Sequence, residues 1–165
     1  MTDKEVPMKS IHLPNEETTQ KLAFDLATLS QSGDIFLLTG DLGAGKTTFT
    51  KGFAEGLGIK QMIKSPTYTL IKEYETGKLP LYHMDVYRLA EGASDLGLDE
   101  YLEGDGVCLI EWGHLIKEDI YTPYLEFFLD KISDNERELQ IESSTENNPR
   151  LEAIKLGLKE KGWDI

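Results

Sequence analysis

The amino-acid sequence predicts an α/β fold: a mainly parallel sheet with the strand Ile35 to Thr39 at its centre, helices on both faces, and an antiparallel hairpin attached. Three observations carry that expectation. The run Ile35, Phe36, Leu37, Leu38 has no helical period and is bounded by turn residues, which suits a strand buried on both faces. It passes directly into the glycine-rich loop GDLGAGKT and then into a segment with Phe49, Phe53 and Leu57 at helical spacing, stopping at Gly58. A second apolar run, Val107 to Ile110, ends at Glu111 and reads as another buried strand.

The remaining elements follow in chain order. NEETTQKLAFDLATLSQSG reads as a helix with Asn15 as N-cap, Glu16 and Glu17 in the positive first turn, Leu22, Leu26 and Leu29 on one face, and Gly33 and Asp34 as its end. Thr69 to Glu75 and Leu79 to Arg88 flank a turn at Gly77 and form a hairpin, because Tyr82, Met84 and Val86 alternate with their neighbours. From Leu89 to Glu111 seven acids occur without a lysine or arginine, which reads as a solvated acidic face over loop and short helix. Leu125 to Ile132 and Glu138 to Glu142 give a further hairpin, and Asn148 with Pro149 opens a last helix ending near Gly162.

At 165 residues the chain has the length of one domain, residues 1–165, with 39% apolar and 28% charged residues, a composition that folds rather than staying disordered. The net charge of −13 disfavours unaided binding to nucleic acid. Cys108 is the single cysteine, so no internal disulfide forms and a reducing compartment is expected; its place in an apolar run makes it a core thiol. MTDKEVPMKS lacks the apolar core of a signal peptide, and no stretch of 18 apolar residues occurs, so a soluble cytoplasmic protein without membrane attachment is expected.

The chemistry centres on Gly40, Gly45, Lys46 and Thr47, which meet the phosphate-loop pattern, with Gly43 an additional glycine inside it. Such a loop converges backbone N–H groups on phosphate, and the next helix points its positive end at the same anion. Lys46 then reaches the β- and γ-phosphates, and the Thr47 hydroxyl ligates Mg²⁺. The plainer alternative is a chance glycine turn, against which the flanking strand and helix argue. A carboxylate at the end of a neighbouring buried strand has to hold the hydrated Mg²⁺ from its other side, and Glu111 sits there, with a strand-terminal surface glutamate as the plainer alternative. Trp112 beside it reads as packing. His83 and Asp85 share a strand face; zinc is one reading of HMD and a hydrogen-bonded structural pair another, while Asp85 serves a phosphate loop best by orienting water near the γ-phosphate. Ser65, Pro66, Thr67 and Tyr68 read on residue type as an ordinary proline turn, with a nucleotide-sensing loop as the alternative.

Taken together, GDLGAGKTTF, SPTYTL, YHMDVYRL, GLDEYL and CLIEW, in that order and spacing, resemble the TsaE family over about Ile11 to Ile141. The resemblance implies a bacterial phosphate-loop ATPase of the pathway that makes threonylcarbamoyladenosine in transfer RNA. It implies that Gly43, Ala44, Gly45, Lys46, Thr47 and Thr48 contact ATP or ADP, that Thr47 and Glu111 hold Mg²⁺, and that Lys46, Asp85 and Glu111 serve catalysis. It places Thr67 in a loop sensitive to the nucleotide, and Glu16 and Arg137 near the base. It also implies the partners TsaD and TsaB, with transfer RNA met through them. The helix after Asn148 lies beyond the shared motifs, and self-association stays open. Two other classes use the same loop. A small-molecule kinase needs several arginines around its anionic acceptor, where this chain has Arg88, Arg137 and Arg150, and a nucleotide-dependent switch needs no useful turnover.

Overall fold

The computed structural model describes residues 10–41, 43–61, 63, 71–86 and 98–165. In order the elements are β1 (Ile11–Leu13), α1 (Glu16–Thr28), β2 (Ile35–Thr39), α2 (Lys46–Gly56), β3 (Ile71–Tyr74), β4 (Leu81–Asp85), α3 (Leu98–Leu102), β5 (Val107–Glu111), a 3-10 segment (Gly113–Asp119), β6 (Leu125–Lys131), β7 (Arg137–Ser143) and α4 (Pro149–Glu160). The strands form one seven-stranded sheet in the order β1-β7-β6-β2-β5-β4-β3. Neighbours among β6, β2, β5 and β4 are parallel, so β2 lies at the centre with β5 beside it, as the apolar runs predict. Both expected hairpins form, β3 against β4 and β6 against β7, and each flanks the parallel core. The sequence reading did not anticipate β1, which pairs antiparallel with β7 through Ile11 and Leu139.

The sheet is covered unequally. On one face Phe36 and Phe127 lie 4.9 Å apart between ring centres, Phe53 meets Phe36 edge-on at 5.8 Å, and α1, α2 and α4 close over them with Leu22, Phe49, Ile154 and Leu158. On the other face Ile35, Leu37, Cys108 and Ile110 pack under Leu98 and Leu102 of α3 and Ile116 of the 3-10 segment. Every residue of β5 is buried, as a strand covered on both faces requires. Burial pushes the Cys108 thiol up to about 12.

Two glycines let α2 lie against α1. A Cβ at Gly52 would come within 2.4 Å of the Gln20 carbonyl oxygen, and one at Gly56 within 2.4 Å of that of Phe24. The close approach sets the start of α2 beside the start of α1. α1 begins as predicted, with the Asn15 side chain accepting from the Thr18 amide at 2.8 Å. It ends at Thr28, before Gly33 and Asp34. The reason is local competition: the Thr28 and Ser30 hydroxyls donate to the carbonyls of Asp25 and Ala27, and the Asp34 carboxylate accepts from the Gln31 amide. Asn148 caps α4 by accepting from the Arg150 amide at 2.9 Å.

Candidate phosphate-binding site

The parallel strands deliver their carboxyl ends to one edge of the sheet, and the candidate residues gather there. β2 ends at Thr39, and α2 starts at Lys46. Gly43 and Gly45 adopt φ of +83° and +99°, left-handed conformations that side-chain-bearing residues resist. The cap of α2 at Gly45 makes no side-chain hydrogen bond, so the first-turn amides keep their donors for an anion. The Lys46 ammonium donates to the Gly40 carbonyl at 2.8 Å and stands 4.6 Å from the centre of the Trp112 ring. A cavity of about 240 Å³ opens beside it, lined by Thr39, Gly40, Asp41, Lys46, Trp112 and Asp130 among others. A larger cleft of about 470 Å³, between the start of α1 and Trp163, has no phosphate loop in its wall.

Two carboxylates stand at the ends of neighbouring strands. Asp85 of β4 is in register with Glu111 of β5, and in parallel pairing both side chains lie on one face, the face that carries Leu38 of β2. Glu111 is buried and its Oε2 lies 2.7 Å from Nε2 of His83, itself 2% exposed. The partner of His83 is therefore Glu111, across the strand pair, rather than Asp85 on its own strand. After Glu111 the backbone turns sharply: Trp112 takes φ 63° and ψ 25°, a left-handed conformation costing an aromatic residue about 1–3 kcal/mol. That turn starts the 3-10 segment.

Arg137 comes to the loop from β7. Its Nε donates to the Ala44 carbonyl at 2.8 Å and one terminal nitrogen to that of Gly43 at 3.1 Å, while the other reaches the carbonyls of Ser133 and Glu136. These bonds hold the Gly43 and Ala44 carbonyls in place, while the Ala44 amide donates to the Asp41 carbonyl at 2.9 Å within the loop. Glu16, in the first turn of α1, accepts from the Thr48 hydroxyl at 3.2 Å, which joins α1 to the loop helix. Thr47 is exposed at the start of α2. On the opposite face of the sheet Glu126 accepts from the Thr39 hydroxyl at 2.6 Å and pairs with Lys117 at 2.9 Å. That hydrogen bond holds the Lys117 ammonium above the ordinary lysine value and ties the 3-10 segment to the base of the loop.

Comparison with known proteins identifies relatives of this chain. The profile of the family described as "Threonylcarbamoyl adenosine biosynthesis protein TsaE" covers residues 13–139. The chain belongs to the TsaE family. A relative from Bacillus subtilis named "tRNA threonylcarbamoyladenosine biosynthesis protein TsaE" is 56% identical over 125 residues, 76% of this chain and 79% of that protein. A relative of the same name from Treponema pallidum is 45% identical over 115 residues, 68% of this chain and 84% of that one. The crystal structure of Bacillus subtilis YdiB superimposes with a TM-score of 0.82 at 42% identity, covering 97% of this chain and all of that one.

Of the residues singled out from the sequence, Gly43, Ala44, Gly45, Lys46, Thr47 and Thr48 form one continuous cradle. Asp85 and Glu111 end the neighbouring strands β4 and β5, Glu111 in register with Leu38 of β2, and Glu16 and Arg137 reach Thr48 and the loop carbonyls from α1 and β7. Thr67, the turn around it and Arg88 lie outside the described residues. Sequence reasoning missed the contacts of His83 with Glu111, of Arg137 with the loop carbonyls, and of Glu126 with Thr39. Their separations of 28, 93 and 87 residues leave no local pattern to read.

Proposed function

We propose that this chain is a Mg²⁺-dependent ATPase required for threonylcarbamoyladenosine modification of transfer RNA, acting in the cytoplasm on the TsaD–TsaB transferase complex rather than on the RNA itself. The observation that carries the reading is the Lys46 ammonium resting on the Gly40 carbonyl at the mouth of an uncapped helix, with Asp85 and Glu111 at the ends of adjacent strands. Family membership supplies the pathway, and the net charge of −13 supports a protein partner holding the RNA.

The residues fit the groups that the reading requires. Left-handed Gly43 and Gly45 shape a backbone cradle for phosphate, with Lys46 as a mobile positive charge that leaves Gly40 to meet it. The donors Thr47 and Glu111 are hard oxygens suited to Mg²⁺. When bound there, the ion would supply charge neutralisation to the phosphate groups. Asp85 orients the attacking water and accepts its proton, while Glu16 and Arg137 bound the nucleotide's side of the loop.

An arginine supplied by a partner is worth about 10³ to 10⁵ in rate to such an enzyme. Among the described residues both arginines are engaged, Arg137 on the loop carbonyls and Arg150 on Asp34. The isolated chain is therefore expected to hydrolyse ATP slowly, and TsaD with TsaB to raise its turnover. The test is steady-state ATP hydrolysis by the chain alone and with the partner pair across a salt series, beside transfer-RNA modification by the reconstituted set. Turnover indifferent to the partners, with modification intact when this chain is omitted, refutes the reading. A kinase would instead transfer phosphate to a small acceptor in the same assay.

A further inference from the structure

His83 is the residue that the chemistry described so far leaves unused. It sits within β4, 2% exposed, on the face shared with Leu81, Leu109 and Asp85. Its Nε2 lies 2.7 Å from Glu111 Oε2, and its Nδ1 is buried with no hydrogen-bond partner among the described residues. A leucine would fill this apolar position without burying an unpaired ring nitrogen, so packing does not explain a histidine here. The whole polar capacity that the ring uses is spent on one oxygen of Glu111.

We propose that His83 is a positioning residue: it clamps Oε2 of Glu111 and leaves Oε1 to address Mg²⁺, a role that rests on the phosphate-loop reading above. An ionised carboxylate has no hydrogen to give, so Nε2 carries one and donates it. Without that bond the carboxylate turns freely about its last torsion, with the like-charged Asp85 in register beside it. Partners that orient a ligating carboxylate in this way typically contribute about 10- to 100-fold to metal affinity.

The test is a Mg²⁺ titration of the full chain binding a fluorescent ATP analogue, for the unsubstituted protein and for His83→Leu, His83→Asn and His83→Gln. Melting curves establish which variants fold. The glutamine amide nitrogen takes the place of Nε2 and retains the bond, whereas the asparagine amide is too short to reach Glu111. The Mg²⁺ concentration for half-maximal enhancement of binding is expected to rise about 10- to 100-fold in His83→Leu and His83→Asn and to be restored in His83→Gln. Affinity in the presence of a chelator should shift far less. If His83→Leu does not fold, the contrast between the asparagine and glutamine variants carries the same test. An unchanged Mg²⁺ requirement in the asparagine variant overturns the proposal, as does a glutamine variant no better than asparagine. Absence of any Mg²⁺ effect in the unsubstituted protein overturns the metal reading itself, a failure visible before any substitution is made.

Discussion

The two ends of β2 are each held by an arginine, and the two are used in opposite ways. At the amino end Arg150 of α4 forks onto Asp34, with Nε 2.9 Å and a terminal nitrogen 2.7 Å from the two carboxylate oxygens, and also donates to the Leu29 carbonyl. Charge meets charge there, and Asp34 is buried. At the carboxyl end Arg137 donates to the carbonyls of Gly43 and Ala44. There the guanidinium is spent on neutral carbonyl acceptors rather than on a carboxylate. One arginine fastens a buried carboxylate; the other fastens the carbonyls of the loop.

The largest effect is expected at the carboxyl end. Lys46→Ala should lower ATP turnover about 10²- to 10³-fold with little change in melting temperature, since it removes charge directed at the phosphates. Asp85→Ala should reduce kcat about 10²-fold or more while leaving nucleotide affinity near normal. Rapid-quench hydrolysis and equilibrium binding separate these outcomes, and a collapse of affinity with unchanged kcat moves Asp85 from catalysis to binding. A Lys46 variant that melts as early as an Arg150 variant would erase the distinction between the two ends.

At the amino end the order reverses. Arg150→Ala leaves the buried Asp34 carboxylate with the Gln31 amide but without its charged partner and should cost about 2–4 kcal/mol, a fall of roughly 5–10 °C in melting temperature for a chain of this size. Turnover at a temperature where the variant stays folded should be close to normal, which calorimetry and an ATPase assay on one preparation will show. Arg137 sharpens the comparison further. Arg137→Ala should weaken ATP binding about tenfold, and Arg137→Lys, which keeps the charge but loses the fork, should recover only part of it. Full recovery by lysine would mean that field alone matters and that the shape of the loop does not depend on this residue.

The smallest effect concerns Cys108, in register with Ile35 near the start of β2. Its thiol is held up to about 12 by burial, so the folded protein should resist thiol reagents at pH 8 and label only on opening. The unfolded thiol releases its proton near pH 8.5, so this residue's contribution to stability is intact below that pH and declines as pH rises from there towards 12. Labelling should quicken in Arg150→Ala and not in Lys46→Ala.

What could be read in advance follows the same division. The strands β2 and β5 are runs of apolar side chains buried on both faces, and the loop between β2 and α2 is dictated by residues adjacent in sequence, so local composition specifies both. β1 has three residues, too few for a period, and exists because β7 offers Leu139 opposite Ile11. The 3-10 segment starts at a left-handed Trp112, where a glycine or asparagine would have been the visible signal. His83 and Glu126 act across neighbouring strands and Arg137 reaches the loop from β7, juxtapositions that only the assembled sheet creates. The cradle was therefore legible and its supports were not.

The placement of the two tryptophans makes the molecule its own optical probe. Trp112 lies beneath the Lys46 ammonium, and the Trp163 indole N–H donates to Asp25 at 2.8 Å where the C-terminal segment meets α1. On the proposed reading, entry of a polyphosphate should draw the ammonium off the first ring and leave the second undisturbed, whereas undocking of the C-terminal segment should expose the second alone. Emission from Trp163→Phe and Trp112→Phe proteins would thus separate ligand arrival from loosening of the tail, each on its own wavelength shift, without an added label.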